Sequence, residues 1–119
     1  MIPSAYSIPG ILVIKTPVQI LEKILKEHYN MTIETVSRKT RSLDVVPYRQ
    51  VIHTILCRHT TMSLGRIGLD IGRKNHCTVI NSRKKIEDAE YMYKKHKVTY
   101  PILELYHDME SKYLELMNI

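Results

Sequence analysis

Between Ser63 and Asn75 the chain carries a helix start, a helix stop and a second helix start. Ser63 has a side-chain oxygen suited to cap a short helix over residues 64–71, and Gly72 is suited to end it. Asn75 then caps a further helix, running to about His96, whose buried face is drawn by Val79, Ile80, Ile86 and Ala89. A short capped helix, a tight turn and a longer helix that opens in polar residues constrain the fold more than any other stretch.

The remainder also reads as helix. Thr16-Pro17 is an N-cap followed by proline at the first helical position, and Val18, Leu21, Ile24 and Leu25 recur at helical spacing, so 17–29 is expected as one amphipathic helix ended by Asn30. Thr32 caps a short turn at 33–36. A helix after Pro47 places Val51, Ile52, Ile55 and Leu56 on one face, with Cys57 beside them. Residues 98–101 form a connector, and a last helix over 102–117 carries Ile102, Leu105, Met109, Tyr113 and Leu116 on one side. Residues 1–16, with Pro3 and Pro9, read as an extended arm with a short strand at 11–14. The expected organisation is an arm at 1–16, one domain at 17–97 and a helical extension at 98–119, with no internal repeat.

The charge is uneven. Residues 1–86 hold 14 Lys/Arg against 5 Asp/Glu, whereas residues 87–119 hold 4 against 7. A basic body points to a polyanionic partner; a solubilising bias is the plainer alternative. Two cysteines, Cys57 and Cys77, are too few for a disulfide framework, and the early apolar run is too short to span a bilayer. A reduced, cytoplasmic setting without membrane association is therefore expected.

The 63–75 pattern is the sequence form of a helix-turn-helix, in which the second helix enters the major groove and meets base edges with its first residues. Asn75 and His76 each offer a donor and an acceptor, Thr78 a hydroxyl and a methyl; Lys74, Arg83, Lys84 and Lys85 can reach phosphates.

These residues also resemble a particular family. Ser63-Leu64-x-x-Ile67-Gly68, Gly72, Lys74-Asn75-His76-Cys77-Thr78-Val79-Ile80 and Arg83-Lys84-Lys85-Ile86-Glu87 are similar to the C-terminal DNA-binding domain of the bacterial replication initiator DnaA. That family runs Ser-Leu-Pro-x-Ile-Gly, then Gly-Gly-Arg-Asp-His-Thr-Thr-Val, then a Lys-Ile segment. Upstream, residues 37–42 resemble its basic loop, and Tyr48-Arg49-Gln50 its Pro-Arg-Gln helix start. The resemblance covers about residues 17–90. It implies an all-α, Trp-repressor-like helical bundle with a helix-turn-helix, to which this chain adds the extended arm and the C-terminal helix.

The resemblance further implies that Asn75, His76, Cys77 and Thr78 face base edges, and that Arg41, with Lys39 nearby, reaches an adjacent minor groove. Backbone contacts are then expected from Lys39, Arg49, Gln50, Ser63, Leu64, Lys74, Asn81, Lys84 and Lys85. Departures accompany the matches. Asn75 stands where the family has aspartate, Cys77 for a threonine, Asn81 for a histidine and Leu43 for a basic-loop arginine, which implies the same docking with an altered preferred sequence. The chain has no Gly-x4-Gly-Lys loop, so the initiator's ATP-driven assembly is not expected of it.

Other chemistry is weighed against this. His53 and Cys57, with His59, His76 and Cys77, lack zinc spacing, so no metal or other cofactor is expected, and Cys57 reads as a small core residue. Adjacent helical positions point about 100° apart, so His76 and Cys77 are not expected to pair as a nucleophilic dyad, and no catalysis is expected. Tyr91 and Tyr93, with Lys94, Lys95 and Lys97, read as a solvated helix end; extended DNA contact is the alternative. The stripe on 102–117 reads as core, with a dimer contact as the alternative.

The resulting expectation is a sequence-specific binder of double-stranded DNA that controls replication initiation or transcription, with the replication initiator or other replication proteins as further partners. The alternative is a protein-interaction module that keeps the fold without specific DNA binding.

Overall fold

The computed structural model describes residues 16–38, 44–72 and 75–117. The expected arm and strand before Thr16 lie outside the described residues, as do Lys39, Arg41, Leu43 and Lys74. The described chain is helical: α1 (Pro17–Ile24) continues into a π-type turn (Leu25–Tyr29), followed by α2 (Ile33–Ser37), α3 (Val46–His59), α4 (Leu64–Asp70), α5 (His76–His96) and α6 (Pro101–Met117).

Several boundaries have a local cause. At α1, Thr16 Oγ1 accepts from Gln19 N (3.2 Å) while Gln19 Oε1 accepts from Thr16 N (3.0 Å), a reciprocal capping box ahead of Pro17. The helix expected to run evenly to 29 instead widens over its last turn before Asn30 ends it with φ 55°. Tyr29, the last residue of that turn, packs edge-on against the Tyr48 ring, centroids 5.4 Å apart, and its hydroxyl donates to Asp108 of α6. Thr32 caps α2 through Thr35 N at 3.1 Å, and Ser63 caps α4 through Arg66 N at 3.1 Å. Gly72 takes φ 98°, a backbone state that a Cβ would strain, which lets the chain leave α4 sharply.

The central element is α3, which packs on α2, α4, α5 and α6. It is buried on more than the one face expected: every residue from Val51 to Leu56 is inaccessible, including His53 and Thr54. Cys57 beside them is half-buried, and burial pushes its thiol up despite the nearby Arg83 and Arg58 charges. On α5 the buried row is Val79, Ser82, Ile86 and Ala89; Ile80, expected in it, is only half-buried.

The last helix shares the same hydrophobic core. α6 packs against α1, α3 and α5, and Tyr106 and Tyr113 are the largest fully buried side chains of a chain without Phe or Trp. Its inward face is wider than the expected stripe. Leu103 and Tyr106 join Met109 and Tyr113 as buried residues, while Ile102, Leu105 and Leu116 are half-buried flanks, because neighbours close on α6 from several sides. Burying a side chain of this size contributes roughly 1.5–3 kcal/mol.

Candidate nucleic-acid interface

The first turn of α5 is exposed and polar for a structural reason. Asn75 turns its Oδ1 back to accept from Thr78 N at 3.1 Å, with Thr78 Oγ1 at 3.4 Å, so the residue that opens the helix is also its cap. Its amide nitrogen makes no hydrogen bond among the described residues and remains a donor. Asn75, His76 and Cys77 are exposed and Thr78 is half-buried. The free N–H groups and the helix dipole give this end a partial positive charge.

Cys77, Asn81, Lys84 and Lys85 are exposed on α5; Cys77 and Lys84 lie opposite the buried row, whereas Lys85 borders it near Ala89. Lys84 and Lys85 are exposed and take part in no ion pair or hydrogen bond among the described residues. Arg83 leans instead on Glu87 at 3.8 Å, and Arg66 of α4 on Asp70 at 3.1 Å. Gln50 of α3 and Lys85 of α5 come together across one groove, beside Asp88, Met92 and Tyr100. Ser63 is exposed at the cap of α4 and Leu64 half-buried.

Two expectations change. Arg49, expected to hold a phosphate, is 6 % exposed. Its Nε donates to Val36 O at 2.6 Å and its Nη2 to Arg38 O, so the guanidinium ties α3 to the end of α2, just before the basic loop. These two donors are thus turned inward onto backbone carbonyls at the end of α2. His76 and Cys77, expected to point apart, meet: His76 Nε2 lies 3.6 Å from Cys77 Sγ. On the open first turn the two exposed side chains bend toward each other beyond the angle their Cα positions set.

Sequence reading missed what holds the turn between α4 and α5. His53 of α3 places Nε2 2.8 Å from Ile71 O and Nδ1 2.9 Å from Ser82 Oγ, and Gly72 N donates to Ser37 Oγ at 3.1 Å. The signal was present as a lone histidine inside the run Val51 to Leu56, where a polar group needs partners.

At the far end of α5, Tyr91 and Tyr93 are exposed, and Lys97 Nζ sits 5.6 Å from the Tyr93 ring centre. No helix among the described residues is long and apolar enough to cross a membrane.

A short helix, a turn pinned from two neighbouring helices and a longer helix with a polar, exposed opening turn define a helix-turn-helix protein of the DNA-binding class. Residues 18–86, more than half of the chain, match the family described as the bacterial dnaA protein helix-turn-helix, and the protein belongs to that family. The matched span runs from α1 into α5; α6 lies beyond it.

Proposed function

We propose that the protein binds double-stranded DNA with sequence preference by placing the first turn of α5 in the major groove, and that it acts in control of replication initiation or transcription. The observation that carries this reading is the self-capped tip at Asn75–Thr78, exposed over its first three residues and backed by Lys84 and Lys85, which have no ion pair among the described residues. Base edges are read by short directional hydrogen bonds, and phosphates by charge that has no internal partner. His76, Cys77 and Thr78 then meet base edges, joined by the Asn75 amide, while Gln50, Ser63, Leu64, Asn81, Lys84 and Lys85 line the backbone. Arg41 in a minor groove, with Lys39 and Lys74 on phosphates, completes the footprint by family resemblance.

The site preference differs from that of the initiator, because the tip exchanges an acceptor for a donor at Asn75 and a hydroxyl for a thiol at Cys77. A protein with the initiator's docking and altered readers fits a regulator that competes with or recruits the initiator at related sites. Selection of bound duplexes from a random pool tests this. A defined motif supports it; a bound pool as random as the input would overturn it and favour an interaction module.

A further inference from the structure

His53 is fully buried on α3 and reaches both sides of the helix-turn-helix corner. The Ile71 carbonyl can only accept, so Nε2 carries a proton and donates to it. A neutral ring then has a bare Nδ1, to which the Ser82 hydroxyl donates. Ser82 Oγ also lies 3.1 Å from Thr78 O, so its single proton is shared between the ring and the first turn of α5. On the other side, Gly72 is held by Ser37 of α2. Consecutive turn residues are thus tied to two different helices.

An apolar side chain would fill the same space without the desolvation an imidazole carries. What it would not do is fix an angle, because dispersion contacts tolerate sliding and hydrogen bonds do not. Ser82 is only one turn beyond Thr78, about 6 Å along the axis, so a rotation at one is a displacement at the other.

We propose that His53 is a positioning residue for DNA recognition: its two ring nitrogens fix the turn at Ile71 and the recognition helix at Ser82 in one register, so that the side chains at 75–78 reach the bases together. This rests on the reading of α5 as the DNA reader. Burial, with Arg49 nearby, holds the imidazole below its usual value against the upward pull of the Ile71 carbonyl, which keeps the neutral tautomer in place at neutral pH. The facing polar groups are Arg49 from α3 itself, Ile71 from the turn and Ser82 from α5.

The test compares wild type with Ser82→Ala, His53→Leu and His53→Gln, each measured well below its unfolding transition. One readout is the ratio of affinities for the selected duplex and a random duplex; the other is the backbone amide shifts of Ile71, Gly72 and residues 76–79 in the free protein. Ser82→Ala and His53→Leu are expected to lower the ratio by about tenfold, as loss of one well-aligned hydrogen bond allows, with random-duplex affinity unchanged and the amides moved. His53→Gln, which keeps a donor for Ile71, is expected to recover part of the ratio. Should His53→Leu fail to fold, Ser82→Ala decides alone. A ratio within twofold of wild type, or equal losses on both duplexes, overturns the proposal. A wild type with no preferred duplex overturns the DNA-reading assignment and this role together, and is distinguished by being seen before any substitution is made.

Discussion

Arg58 and Glu90 face each other through two parallel hydrogen bonds, Nη1 to Oε2 at 2.9 Å and Nη2 to Oε1 at 2.8 Å, joining α3 to α5. Nη1 also donates to Tyr106 Oη at 3.1 Å, Tyr106 donates to Glu110 at 2.5 Å, and His59 Nε2 lies 2.7 Å from the same carboxylate. The network crosses three helices on the side of the molecule that carries α6. The Glu90 carboxylate raises the Arg58 pKa against burial, and the Tyr106 ring lies 5.3 Å from the guanidinium. The two partners are 28 % and 35 % exposed, so solvent screens the pair. Replacing Arg58 or Glu90 with alanine is expected to lower stability by about 1 kcal/mol in urea unfolding. DNA discrimination should be unchanged, because neither residue touches the 71–82 corner.

Arg49 separates a positioning role from a phosphate contact. Arg49→Ala removes the donors bonded to Val36 and Arg38 and is expected to cost about 2–3 kcal/mol in urea unfolding. The slope of log affinity against log salt should stay at the wild-type value. Unchanged stability with a slope reduced by about one would restore the phosphate assignment.

Lys84 and Lys85 behave the other way. Each alanine substitution should weaken binding to selected and random duplexes alike and reduce the salt slope by about one, with the melting temperature little changed. A salt series on both variants reads this directly; slopes equal to wild type would remove α5's outer face from the DNA backbone.

The Asn75 cap makes two substitutions informative. Asn75→Ala should destabilise the protein by about 1 kcal/mol by freeing the Thr78 N–H. Asn75→Asp retains the capping oxygen but replaces the outward donor with an acceptor, so stability should hold while the selected motif changes towards a base offering an amino group, such as cytosine. Adding Cys77→Thr restores a hydroxyl and a methyl next to it and should sharpen selection at the neighbouring base. Identical motifs from wild type and the double variant would mean that these positions do not read DNA.

Stability should fall in two stages on acidification. His53 has a lowered pKa in the folded protein, so below its ordinary value of 6.5 the unfolded chain takes up the proton more readily. Unfolding is then favoured as pH falls, until the folded pKa is passed. Glu110 is held low, since hydrogen bonds from Tyr106 and His59 outweigh the upward effect of burial, and Asp108 is held low by Lys112 and Tyr29. Their contribution is present above the ordinary carboxylate values and lost as pH falls through the folded ones. Thermal melts across pH should show both stages, and His53→Gln should remove the first. A first stage that persists in that variant would assign it to another group.

Capping and periodicity made most of the fold legible in the sequence. Thr16, Thr32, Ser63 and Asn75 each cap the helix that their position announced, because an N-cap depends on atoms within three residues of one another. The exposed tip at 75–77 was legible for the same local reason. Three-dimensional packing decided the rest. That Arg49 bonds the end of α2, that His53 pairs with Ile71 and Ser82, and that Tyr106 turns inward on α6 depend on helices 11 to 48 residues away in the chain meeting in space. Charge and helical phase indicate which residues can face outward, but a long side chain buried between helices takes its partners from whatever those helices bring to it. The sequence by itself determined the helices, their caps and the polar opening of α5; only the tertiary structure decided which polar groups hold that opening in place.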